Sequence, residues 1–442
     1  MAVPHTQAEN PATQTPLLDP SRTVLQQEEP NDDQLNHFLH RLETFLRVFG
    51  FCQYSFVSVT LWWVWFLILG VGVPLLFIEI SYCSDCERYQ VKSFELQILV
   101  SESFAAAISL ICISHNLRKY GFRRFLFVDR YHGHMTQFRE EYIQKINGFF
   151  RLLAVCALPC FLLKAVREAF RIRYIHHLSW WQSVVALFAV LVSWTYSNII
   201  FLSGSVLFNL VCNLQVVHFE NYGRLLERDL DVSVYIEEHI RLTHHLSKIS
   251  HRFRIFLLME FLVVTASQFV YLLQTTGNRG IINFVNGGDF AVSSIVELVG
   301  IIICLHAAAK ISHRAQGLAS VTSRWHALVT CNSNDASQLG IPNNGGNTEP
   351  TNPPAAASLS ISYSESDLEA ADFVPEPTNT QLVSSMSSYH KRQAFVIYMQ
   401  TNPRGATVFG WTIDRALIGT LFFLELSLVL FVLGKTITFS TK

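Results

Sequence analysis

The sequence predicts an all-α, multi-pass membrane protein with seven spans, on three observations. Half of its 442 residues are hydrophobic and only 15% are charged, with a mean hydropathy of +0.28; that balance suits a chain that buries much of its length in lipid. Seven apolar runs approach or exceed the roughly 20 helical residues that a ~30 Å hydrocarbon core requires. The loops between them alternate between poor and rich in Lys and Arg. A net charge of −1 gives no reason to expect a nucleic-acid partner. The first thirty residues have no basic start and no short apolar core, so the first span itself is expected to direct insertion.

Residues 1–33 are rich in acids, Pro and Gln and read as a disordered tail. Asn31, Asp32 and Asp33 are placed to cap a helix over 34–50. Leu35, Phe38, Leu39, Leu42, Phe45, Leu46 and Phe49 recur there at helical spacing, which fits either an interfacial helix or an ordinary packing helix. Spans are expected over 57–80, 94–113, 149–165, 182–202, 256–273, 291–309 and 411–433. Together with the helix over 34–50, the first six spans make a unit over 34–330.

Several apolar patterns outrun a bilayer. The fourth continues to about Phe219, the fifth begins with a stripe that includes Val232, Ile236, Ile240, Leu246, Ile249 and Phe253, and the sixth continues to about Leu328. Such stripes need partners, so a cytosolic helical bundle continuous with the spans is expected. Residues 331–385 are rich in Asn, Ser, Pro and Gly and read as a disordered cytoplasmic loop; 386–442 then hold a half-helix and the seventh span.

Basic residues set the expected orientation. The loops after spans two, four and six carry Arg118, Lys119, Arg123 and Arg124; Arg224, Arg228 and Arg241; and Lys310, Arg314 and Arg324, among others. The opposite loops hold only Arg88 and Lys92; Arg167, Arg171 and Arg173; and Arg279. The N-terminus is therefore expected in the cytoplasm and the C-terminus outside. This reverses the G-protein-coupled receptor arrangement, so Asp129-Arg130-Tyr131 in the second loop carries no weight.

Four carboxylates fall inside spans: Glu102, Glu260, Glu297 and Glu425. A charge at mid-bilayer costs about 2.5–3.5 kcal/mol on insertion scales, so such groups pair within the bundle or line a path, here one suited to cations. In span four, Trp194, Tyr196 and Asn198, with Glu102 and Glu297 nearby in the spans, are candidates for a small-ligand pocket. Trp180 and Trp181 read as an interfacial aromatic belt. Cys83 and Cys86 are spaced to close a small external disulfide loop. His176-His177 and His244-His245 are adjacent rather than one helical turn apart, so no metal site is expected. No phosphate loop, hydrolase elbow or kinase signature is present, and neither a cofactor nor an enzymatic activity is expected.

The ending carries a resemblance. Phe409-Gly410-Trp411-Thr412-Ile413-Asp414-Arg415-Ala416-Leu417 resembles the opening of the last helix in gustatory receptors of the insect chemoreceptor superfamily, and Tyr398 to Gly405 resembles the half-helix and turn before it. Plant gustatory-receptor-like proteins of a domain-of-unknown-function family share this ending. The insect pattern of Thr-Tyr and Gln-Phe further along is replaced by Ser427-Leu428 and Gly434-Lys435. The resemblance implies a homotetrameric, ligand-gated cation channel in the plasma membrane or an endomembrane, anchored through its cytosolic bundle and opened by an unidentified small ligand. Glu425, Thr420, Leu424, Leu428 and Phe431 would then be pore candidates, and Thr412, Ile413, Asp414 and Arg415 structural ones. The alternative is a non-conducting receptor or scaffold on the same fold.

Overall fold

The computed structural model describes residues 29–53, 55–81, 92–127, 138–174, 180–228, 230–277, 284–338, 388–402, 405–408, 411–412 and 415–440. In order these form α1 (Glu29–Val48), α2 (Phe56–Phe66), a π-helical segment (Leu67–Gly72) that runs on into α3 (Val73–Ser81), α4 (Lys92–Tyr120), α5 (Phe122–Leu126) and α6 (Arg139–Tyr174). Then follow α7 (Trp180–Leu225), α8 (Val232–Gly277), α9 (Phe284–Gln338), α10 (Ser388–Thr401), β1 (Thr407–Val408), β2 (Trp411–Thr412) and α11 (Arg415–Ser440). The two strands pair antiparallel, Thr407 opposite Thr412 and Val408 opposite Trp411.

Among the described residues, six helical stretches are long and apolar enough to cross a membrane: Phe56–Glu79, Glu95–Tyr120, Arg139–Arg171, Trp181–Leu225, Val232–Gln274 and Gly288–Cys331. They coincide with the first six expected spans, and the chain is an integral, multi-pass membrane protein. The seventh expected span lies in α11, whose described apolar stretch is the shorter Ala416–Phe431. All 26 residues of α11 would measure ~39 Å at ~1.5 Å per residue.

Cys83 and Cys86, Asp129-Arg130-Tyr131, His176-His177, Ile413 and Asp414 lie outside the described residues, as do residues 1–28 and 339–387. Two helices reach past the expected boundaries. α1 starts at Glu29, with Pro30 in its first turn. α9 continues to Gln338, with no Gly or Pro between the expected end near Leu328 and Gly340.

Of the two readings of α1, the structure shows packing. Leu35, Leu39, Leu42 and Leu46 are buried. Phe45 meets Phe149 and Phe150 of α6 at 5.8 and 5.6 Å, and the Arg41 guanidinium lies 5.0 Å from the Phe150 ring. α1 ends at Gly50 with φ +79°. Phe51 N–H donates to Leu46 O at 2.8 Å and Gly50 N–H to Arg47 O at 3.1 Å. This left-handed cap returns the chain toward the membrane.

α7 is apolar all round, and it occupies the middle of the bundle, against α9, α6 and α4. Ile200, Leu202, Val206 and Leu207 are fully buried. Small residues set its crossings: a Cβ at Gly204 would lie 2.1 Å from Ser109 Oγ, and one at Gly300 of α9 would lie 2.5 Å from the Phe201 ring. Without a hydrophobic drive between helices in lipid, such close backbone approach supplies the packing energy.

α7, α8 and α9 have 46, 46 and 55 residues. At ~1.5 Å per residue each is more than twice a ~30 Å core, so these helices project from the membrane. Their projecting ends bury the expected stripe, including Val232, Leu246, Ile249 and Phe253, and receive α10 through Phe395 and Met399. Tyr235 stacks on Phe395 at 5.9 Å and meets Trp325 at 5.5 Å. Tyr222 OH donates to Tyr235 O at 2.9 Å.

Gly300→Ala forces its new methyl into Phe201 and should cost about 1–3 kcal/mol. Gly317, whose Cβ would meet nothing within 4 Å, should tolerate Ala. Apparent unfolding temperatures of the detergent-solubilised variants check the contrast.

Candidate functional site

Charges recur at helical intervals inside otherwise apolar helices. On α6, Lys164, Glu168 and Arg171 are four and three residues apart, with Arg167 beside them. On α4, Glu95 and Glu102 are seven apart. On α9, Asp289, Ser293 and Glu297 recur every four. These three stripes face one another.

Lys164 Nζ pairs with Asp289 and, at 3.5 Å, with Glu168. Arg167 pairs with Glu168 and, at 3.5 Å, with Asp289. Arg171 reaches Glu95 at 2.8 Å and Glu168 at 3.8 Å. All six side chains are buried. Three basic and three acidic groups thus neutralise one another where a lone charge would carry a large desolvation cost.

The network borders a cavity of about 60 Å³, which it shares with the first span and α7. Glu102 and Trp194 form part of the wall. Glu102 Oε1 accepts the Trp194 Nε1 hydrogen at 3.0 Å and a bond from Ser293 Oγ. Its Oε2 has no hydrogen-bond partner among the described residues. Lys164 Nζ lies 5.7 Å from the centre of the Trp194 ring.

The first span is distorted beside this cavity for a local reason. Pro74 has no N–H to bond the carbonyl of Gly70. Ser103 Oγ donates to that carbonyl at 3.4 Å, and Ser193 Oγ donates to Leu69 O. Val73 N–H reaches back five residues to Ile68 O, which gives the π turn. In lipid, freed carbonyls need such side-chain partners.

The other sequence candidates separate. Tyr196 packs near Phe49 and Phe66, with ring centres 6.2 and 6.5 Å away. Asn198 Nδ2 donates to Trp194 O of its own helix at 2.9 Å. Glu297 accepts bonds from Ser101 (3.0 Å), Ser267 (2.6 Å), Gln268 (2.8 Å) and Tyr271 (3.3 Å), and so ties α4 and α8 to α9. Glu260 accepts from Ser205 at 2.7 Å and Cys304 at 3.5 Å. None of Tyr196, Asn198 and Glu297 lines the charged cavity.

On α11, Thr420, Leu424 and Phe431 are exposed and Leu428 is half-buried. Glu425 is buried on another face, where Thr265 Oγ1 of α8 donates to its Oε1. Glu425 Oε2 has no hydrogen-bond partner among the described residues. Thr412 sits in β2, and Arg415 opens α11. His244 and His245 have ring centres 6.3 Å apart. Among the described residues no group of three His, Cys, Asp or Glu is placed to hold a metal.

Sequence reasoning missed most of the network. Arg167 and Arg171 had been counted as loop charges, but α6 runs on to Tyr174 and buries them. Asp289 lay just before the expected sixth span. The legible signal was the three- and four-residue spacing of Lys164, Arg167, Glu168 and Arg171.

A family model described as a protein of unknown function, DUF3537, matches residues 37–424. No match is found among curated proteins. Among solved structures, the olfactory receptor OR5 of the insect Machilis hrabei, in complex with eugenol, aligns with a TM-score of 0.49 at 10% identity. The alignment covers 91% of this chain and 98% of that chain.

Asp289→Ala leaves Lys164 and Arg167 short of a counter-charge and should cost about 3–5 kcal/mol. Lys164→Met combined with Asp289→Leu should recover part of that loss. Thermal unfolding of the purified variants measures both.

Proposed function

The chain belongs to the protein family of unknown function DUF3537, and from that premise we propose a homotetrameric, ligand-gated cation channel in which α11 of each copy lines a shared pore. The observation that carries this reading is the two-sidedness of α11. Ala416, Thr420, Phe423, Leu424, Ser427, Leu430 and Phe431 are exposed and recur every three or four residues, while Glu425 and Val429 are buried against the rest of the chain. An apolar stripe with two hydroxyls is thus left for copies of the same helix. Thr420, Leu424 and Phe431 lie on that stripe, Leu428 at its edge and Glu425 behind it. The resemblance of the Thr412–Leu417 motif to insect gustatory receptors supports the assignment.

In this reading the N-terminus is cytoplasmic and the C-terminus external. The projecting bundle of α7 to α10 is the cytosolic anchor through which subunits meet. The charged cavity is the ligand site, and its occupant favours one state of the spans around it. A second reading, a non-conducting receptor or scaffold, draws on the position of Glu425. With that carboxylate turned toward Thr265, the exposed stripe carries no charge to attract a cation.

Single cysteines at Thr420, Leu424 or Phe431 should give disulfide-linked dimers between copies in vesicles, whereas Glu425→Cys should not, and an amine-reactive cross-linker should carry the unmodified protein up to a tetramer. Planar bilayers holding that tetramer should pass cation current; cross-linked but silent tetramers favour the scaffold. For orientation, Cys331 is exposed at the end of the sixth apolar stretch. With Cys83 and Cys86 replaced by Ser, a membrane-impermeant maleimide should modify Cys331 only after the cells are permeabilised.

A further inference from the structure

The charged cavity has an apolar neighbour. Between the first span and α7 lies a crevice of about 830 Å³, walled by Ile68, Val73 and Leu76 on one side and Trp181, Val185 and Ala189 on the other. Leu76, Trp181 and Val185 are 61%, 71% and 66% exposed, so the crevice opens sideways along the membrane-spanning surface. The cavity and the crevice have one lining residue in common, Phe77.

Phe77 is only 9% exposed, and the Arg171 guanidinium lies 4.9 Å from its ring centre. Its ring is therefore a partition, with lipid-facing carbon on one side and the ion-pair network on the other. The backbone just before it is the π turn over Leu67–Gly72, in which the Leu69 and Gly70 carbonyls accept serine hydroxyls, followed by Pro74.

We propose that the cavity is filled from the bilayer: an apolar-bodied molecule with a small hydroxyl head enters between the first span and α7, displaces Phe77 and donates its hydrogen to Glu102 Oε2. The proposal rests on the cavity being the ligand site. The crevice selects the body, because its lipid-facing wall is almost wholly carbon and offers no reason for a water-soluble group to enter. The cavity selects the head. The acids Glu95, Glu168 and Asp289 in its wall oppose a free carboxylate. Those acids are already paired with Lys164 and Arg171. Glu102 Oε2 is left as an acceptor for a neutral donor.

The test uses the full chain in lipid vesicles and a long-chain alkanol bearing a photoactivatable diazirine. Adducts mapped by peptide mass should fall on crevice residues such as Ala189 and on cavity residues such as Ser103 and Ser197. Excess plain alkanol should compete them away. The matching methyl ether should compete roughly tenfold less well, lacking the hydroxyl hydrogen that would bond Glu102 Oε2. Val185→Trp changes only an exposed position; it should fill the crevice and abolish the cavity adducts. Phe77→Ala should increase them. Cavity adducts that survive Val185→Trp would mean entry from water and would overturn the lateral route while sparing the site. Equal competition by alcohol and ether would overturn the Glu102 contact. Adducts confined to the crevice even in Phe77→Ala would overturn the cavity as a ligand site as well. None of these readouts depends on whether the assembled protein conducts.

Discussion

A charged side chain held out of water must find its opposite nearby, and the middle of this molecule is arranged around that requirement. Lys164, Arg167 and Arg171 on one helix meet Glu95, Glu168 and Asp289 on three helices, all buried. In such surroundings the attraction within each pair is strong, and so is the cost of separating it. The pairs consequently fix the rotation of α4, α6 and α9 about their axes. A turn of any of these helices by one residue would strand a charge against apolar neighbours.

The same rule operates with neutral donors lower in the bundle. Glu297 collects four bonds from α4 and α8, and Glu260 is held by Ser205 and Cys304. The serine-capped carbonyls of the first span extend it to the backbone. α7 lends Ser193, Trp194 and Ser205 to these polar clusters, and its close crossings lie at its own Gly204 and at Gly300 of α9. α7, α8 and α9 run unbroken from the membrane into the projecting bundle, where α10 packs on α8 and α9. α11 packs on both α8 and α9, the helices that hold Glu297 and its partners.

The six spans, the amphipathic α1 and the helical extensions were legible in the sequence because each depends on local apolar periodicity. Leu35, Leu39, Leu42 and Leu46 declare a buried stripe whatever lies against it. The site was legible only in fragments. Trp194 and Glu102 were singled out, and the structure joins them by a 3.0 Å hydrogen bond. Tyr196 and Asn198 share the helix of Trp194, and Glu297 shares that of Asp289, yet none of the three lines the cavity. Arg167 and Arg171 read as loop charges because hydropathy loses a helix as soon as charge enters it.

By itself, then, the sequence determined an all-helical chain that repeatedly crosses a membrane and outgrows it at one end. These properties follow from residue type and spacing within single segments. Only the tertiary structure decided which charges meet, that Glu425 turns toward Thr265 rather than along the exposed stripe, and that Phe77 stands between a charged cavity and an apolar crevice. Those outcomes depend on the azimuth of one helix against the next. Azimuth is set by packing and ion pairing between residues far apart in the chain, such as Lys164 and Asp289, and no local pattern records it.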